Sequence, residues 1–87
     1  KETGSGFTSY VYAHFGISIP SFSGAQRSCG QEVSYANAQA GDLICYAGHV
    51  AIYMGGGKIV HAKGTAYGIV GNDNATYKTI ITVRRLL

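Results

Sequence analysis

Hydrophobic and polar positions alternate most regularly between His49 and Ala62. His49-Val50-Ala51-Ile52-Tyr53-Met54 runs out, three glycines follow, and Lys58-Ile59-Val60-His61-Ala62 runs back. Two short β-branched runs around a glycine loop predict a β-hairpin. A three-residue loop, Gly55 to Gly57, sets Met54 opposite Lys58, Tyr53 opposite Ile59 and Ala51 opposite His61. His49 then lies diagonal to His61 on the same face, about 7–8 Å away at Cα. Ala51 is small and leaves room for the rings to meet. A two-residue loop would put Val50 opposite His61 and turn the two rings to opposite sides of the sheet. The three-residue loop is the expectation.

Elsewhere the period lengthens. Over residues 5–15, Phe7, Tyr10, Val11, His14 and Phe15 fall on one helical face. Ser5 or Thr3 is placed to cap the start, and Gly16 to end the helix. His14 belongs at the edge of that face. Residues 21–28 read as a short polar helix with Ser23 or Ser21 as cap. Residues 31–39 read as loop, anchored by Val33 and Tyr35. Ala40-Gly41-Asp42 is a turn into a strand over 43–46. After the hairpin come a surface loop over 63–68, a short strand at 69–70 and a turn over 71–74. A last strand over 77–85 carries Ile81 and Val83 on one face. Two helices followed by a four- or five-stranded antiparallel sheet make an α+β pattern.

With 87 residues the chain is one domain with a small core. Its 46% hydrophobic and 13% charged content excludes a disordered chain. The net charge of +3 suits an anionic polymer. Its basic residues are scattered apart from Arg84-Arg85, so no nucleic-acid partner is expected. No run reaches the length of a membrane span, and no signal peptide is seen. Cys29 and Cys45 do not make a disulfide framework and read as buried, small apolar residues. Seven tyrosines are many for this length. Tyr10, Tyr46 and Tyr53 are the candidates to line a groove between helix and hairpin.

Two histidines on one face admit three readings. They are a pair of satisfied ring nitrogens, or part of a metal site that draws on Cys45, or a base and the group that orients it. Cys45 and His49 lack a recognised ligand spacing, and the third reading needs a nucleophile from elsewhere in the chain.

Several motifs together resemble the NlpC-type cell-wall peptidases, a papain-like family. Ser5-Gly6-Phe7 followed by Tyr10-Val11-Tyr12 is similar to the start of the family's catalytic helix. Gly16-Ile17 and Pro20 resemble the turn after it, and Ala40-Gly41-Asp42-Leu43 resembles its Pro-Gly-Asp-Leu turn. Gly48-His49-Val50-Ala51-Ile52-Tyr53 and Ile59-Val60-His61-Ala62 are similar to the strands bearing the catalytic histidine and the third polar residue. The resemblance covers nearly the whole chain.

It implies a papain-like α+β fold, with 1–87 as a single domain of that type. It also implies a cysteine peptidase that cleaves peptidoglycan stem peptides next to D-glutamate. His49 matches the base and His61 the orienter. Gly4 stands where the nucleophilic cysteine belongs, and Thr3 replaces the aspartate before it. Glycine has no side chain to form an acyl-enzyme, so the chain as written is expected to be inactive. Ser5 marks the helix start, beside the oxyanion site. As a nucleophile it is displaced by about 100° around the helix from position 4. Tyr46 and Gly48 are the expected substrate contacts. No metal and no cofactor are implied. A monomer, secreted or bound to the cell wall, is expected. The family's aromatic, glycine-rich upstream segment is missing, so the domain reads as incomplete at its start. The alternative is a non-catalytic module that binds cell-wall peptides.

Overall fold

Helices come first and the sheet second, as the periodicities imply. The computed structural model describes residues 4–64 and 67–87. Its elements are α1 (Gly4–Ala13), α2 (Ser23–Gln26), β1 (Gln31–Val33), β2 (Leu43–Tyr46), β3 (His49–Gly55), β4 (Lys58–Gly64), β5 (Gly68–Asn74) and β6 (Thr82–Arg85). Single 3-10 turns lie at Tyr35–Asn37 and Ala75–Tyr77. The strands form one sheet in the order β1-β6-β2-β3-β4-β5, and each neighbouring pair is antiparallel.

The hairpin has the expected parity, reached by a different turn. Tyr53 pairs with Ile59 and Ile52 with Val60. Lys58 pairs with Gly55, not Met54, across the two-residue turn Gly56-Gly57, and a bulge falls between Tyr53 and Gly55. The extra residue of the bulge restores the register that a three-residue loop would give. Gly55, Gly56 and Gly57 have φ of 88°, 62° and 80°, the left-handed region that glycine enters without steric cost.

β2 is buried along its whole length. Leu43 and Cys45 pack with Tyr12 and Val50 on the side of α1. Ile44 and Tyr46 pack with Ala51, Tyr53, Ile59, Ala75 and Val83 on the other. A strand covered on both faces loses its polar alternation.

α1 buries a different face from the one its large residues suggest. Thr8 and Tyr12, one turn apart, are its buried residues, while Tyr10 and Phe15 are 62% and 64% exposed. The Thr8 hydroxyl donates to Gln26 Oε1 at 2.7 Å, and Gln26 Nε2 donates to the carbonyls of Ser5 and Pro20. A buried polar residue is tolerated where its partners are built in, and this knot supplies them. Tyr12 Oη donates to the Gly41 carbonyl, tying the helix to the turn before β2. The helix end is as expected: Gly16 has φ of 76°, and Gly16 and Ile17 donate to the Ala13 and Tyr12 carbonyls, a Schellman arrangement.

Other expectations are corrected. Ser5 lies inside α1 and donates its hydroxyl to the Ser21 carbonyl instead of capping its own helix, and Thr3 lies outside the described residues. α2 is only four residues long and starts after Phe22 with no side-chain cap, so neither Ser21 nor Ser23 serves. Within 31–39 there is an edge strand, β1, paired with β6. The chain over 63–64 continues β4, and 71–74 belongs to β5. The last strand starts at Thr82, leaving Ile81 47% exposed while Val83 is buried. Among the described residues the sheet therefore has six strands, not four or five.

Candidate active site

His49 opens β3 directly after the turn Ala47-Gly48, where Gly48 has φ of 69°. His61 sits in the middle of β4 and is fully buried. Both project from the same side of the hairpin, because the bulged turn preserves their parity. His49 Nε2 lies 2.7 Å from His61 Nδ1, within hydrogen-bond range. The His61 Nε2 then meets Asp73 Oδ2 on β5 at 2.8 Å. Lys63 Nζ approaches the same oxygen at 3.4 Å.

Aromatic rings hold this row in place. Tyr46, paired with His49 across β2 and β3, stacks on its ring with centroids 6.0 Å apart. Tyr77 meets His61 edge-on at 5.5 Å and Tyr46 at 5.4 Å. Tyr46 Oη donates to the Ala75 carbonyl at 2.6 Å.

Burial lowers the His49 pKa from 6.5 to about 4, with His61 and Lys78 adding to the shift. Its ring is therefore neutral at ordinary pH, as a base must be before it takes a proton. The hydrogen bond from His61, opposed by some desolvation and aided by Lys63, holds the Asp73 carboxyl below its usual range. Burial pushes the Tyr46 phenol up, so it stays protonated.

α1 delivers its first residue to this row. A Cβ on Gly4 would stand 2.6 Å from His49 Nδ1, 2.8 Å from Cε1 and 3.4 Å from the Val50 carbonyl oxygen. That is closer than a Cβ and a ring normally come. With glycine at position 4, the imidazole leans into the space a side chain would fill. Position 4 thus lies at the Nδ1 edge of His49, and His61 at the Nε2 edge. A thiol at position 4 would sit at the positive end of a helix and beside an imidazole, two conditions that favour thiolate.

The sequence-derived residues divide accordingly. Gly4, His49 and His61 come together. Ser5 is adjacent, but its hydroxyl is 2.7 Å from the Ser21 carbonyl and is engaged there. Gly48 is exposed at the turn before His49. Tyr46 is fully buried beneath His49, so it is a platform and not a groove wall. Tyr53 is also buried, with its oxygen accepting from the Gly57 N–H, so Tyr10 alone of the three tyrosines faces solvent. Cys45 does not join the histidines: it pairs with Val50, belongs to the core beside α1, and burial pushes its thiol up to about 11. Cys29 and Cys45 are both free thiols.

Asp73 was hidden in a stretch that reads as a turn. One signal could have found it. His61 follows His49 by twelve residues and Asp73 follows His61 by twelve, the repeat of successive strands carrying partners to one place.

A helix whose first residue abuts a histidine on an inner hairpin of an antiparallel sheet is the arrangement of the papain-like α+β class. Residues 4–85 match the NlpC/P60 family, and the chain belongs to that family. It is 45% identical over 64 residues to a probable endopeptidase p60 of Listeria seeligeri, covering 68% of this chain and 12% of that protein. It is 42% identical over 66 residues to the peptidoglycan endopeptidase RipB of Mycobacterium tuberculosis, covering 71% of this chain and 27% of RipB. The solved structure of that peptidoglycan hydrolase superposes with a TM-score of 0.86 at 35% identity, over 95% of this chain and 44% of the other. The chain thus spans a minor part of the length of these relatives.

Proposed function

We propose that this chain is a cysteine-peptidase domain directed at peptidoglycan stem peptides, in which glycine has replaced the nucleophile. His49 is the base and His61 its orienter. The reaction that the family resemblance implies is hydrolysis of an amide next to D-glutamate. A thiolate at position 4 would attack the amide carbon, and His49 Nδ1 would take the thiol proton and return it to the leaving amine; water activated by His49 would then cleave the thioester, releasing the carboxylic acid and restoring the thiol. Backbone N–H groups at the α1 start, that of Ser5 among them, would face the oxyanion. Gly48 borders the substrate path, and Tyr46 stiffens His49 from below. The observation that carries this reading is the 2.6 Å approach of a position-4 Cβ to His49 Nδ1. The RipB relative, named a peptidoglycan endopeptidase, supports the substrate class, and the p60 relative, named a probable endopeptidase, supports the reaction class. Residues 1–87 act as one monomeric domain, outside the cytoplasm where the wall is met.

With Gly4 in place, the domain binds stem peptides without turnover. The test incubates defined muropeptides with the unsubstituted chain, with Gly4→Cys, and with a RipB chimera whose matched region is replaced by residues 4–85 of this chain carrying Gly4→Cys. No product is expected from the first. Turnover is expected from the third, and His49→Ala abolishes it. Clear turnover by the unsubstituted chain would overturn the reading, as would a reconstituted protein indifferent to His49.

A further inference from the structure

The row of side chains does not end at the orienter. His61 is fully buried, and its outer nitrogen meets a carboxylate whose side chain is 29% exposed. Asp73 is brought there by register: it pairs with Ile59, two residues before His61 on β4. A bulge between Ile59 and His61 slides β5 by one residue, so that Val70 and not Gly71 pairs with His61. Asn72, at φ of 63°, takes the left-handed conformation within that irregular stretch. The local backbone is thus bent where a carboxylate is aimed at a buried ring.

We propose that Asp73 is a positioning residue that fixes the tautomers of both imidazoles and so leaves the basic lone pair of His49 on Nδ1, facing position 4. An ionised carboxylate only accepts, so the hydrogen between Asp73 and His61 belongs to His61 Nε2. A neutral imidazole carries one N–H, so His61 Nδ1 is then bare and accepts. The hydrogen in the 2.7 Å contact between the rings therefore sits on His49 Nε2. Neutral His49 is left with a bare Nδ1, the nitrogen against Gly4. Reversing the donor at the far end would reverse every step and leave His49 Nδ1–H, with no base for position 4. Lys63, 3.4 Å from the same Asp73 oxygen, helps keep it ionised.

The proposal rests on His49 as the base, but its readout needs no catalysis. Two-bond proton–nitrogen spectra of the uniformly nitrogen-labelled chain, taken well above the ordinary imidazole range, report each ring's tautomer. Both rings should carry hydrogen on Nε2. Asp73→Asn exchanges an obligate acceptor for an amide that can accept through Oδ1 or donate through Nδ2, so the Nε2–H preference of both rings should weaken by about tenfold in ratio. Asp73→Ala removes the acceptor, and both rings should become tautomeric mixtures. Nδ1–H rings in the parent chain would overturn the proposal, as would Nε2–H rings unmoved in both variants. A failed muropeptide assay would instead strike the functional reading and leave these tautomers standing.

Discussion

At the scale of single residues, His49 carries the most consequence for pH. Burial is the main cause of its depressed pKa, about 4 against 6.5 for the free side chain. Between those values the unfolded chain binds more protons than the folded one, so stability rises with pH across that window. Stability should therefore fall as pH drops from 6.5 through about 4, by on the order of 2 kcal/mol. Asp73 and Asp42, both held below 3.8, lose their contribution further down, as pH falls through their own lowered values. Urea melts at stepped pH check this, with His49→Ala as comparison. The slope should vanish in that variant, and a slope that survives it belongs to another group. Residue by residue, the histidine pair was legible from the matching alternation on both strands, although its parity rests on a bulge rather than on the expected three-residue loop. Asp73 was not, because Gly71, Asn72 and Asn74 are turn formers employed here in an irregular strand.

At the scale of elements, the polar knot beneath α1 decides where position 4 stands. Gln26 on α2 joins Thr8, the Ser5 carbonyl and the Pro20 carbonyl, and is itself fully buried. Gln26→Leu keeps much of the volume but leaves the Pro20 carbonyl unpaired, and should cost about 2 kcal/mol in urea unfolding. Hydrogen exchange in the first turn of α1 should quicken in the same variant, whereas a loss confined to α2 would show that the knot does not hold the helix start. This knot also explains the misread helix face. Size and apolarity favoured Tyr10 and Phe15, and only tertiary partners make Thr8 a core residue. The edge strands were missed for the opposite reason. Gln31 and Glu32 of β1 are exposed, and β5 is largely exposed, so neither carries the alternation of a half-buried strand. β2 and the hairpin strands, inside the sheet, carried the strongest signal, and their pairing was as expected except at the turn, where Lys58 meets Gly55 and not Met54.

At the scale of the molecule, α1 ends its run on the sheet with its first residue against β3, and three successive strands line up His49, His61 and Asp73 behind it. Asp42 fastens the frame: buried, it accepts from the Gln39 N–H and from two nitrogens of Arg85 at the end of β6. Burial works against its charge, and the Arg85 and Gln39 hydrogen bonds outweigh burial to hold it ionised. The central claim is that this frame presents His49 Nδ1 to position 4. The most direct test is the alkylation rate of Gly4→Cys against pH, in a Cys29→Ser background so that one accessible thiol remains. The rate should titrate well below the ordinary thiol value of about 8.5, and return to it when His49→Ala is added. A thiol that titrates at or above the ordinary value, whether or not His49 is present, would contradict the account.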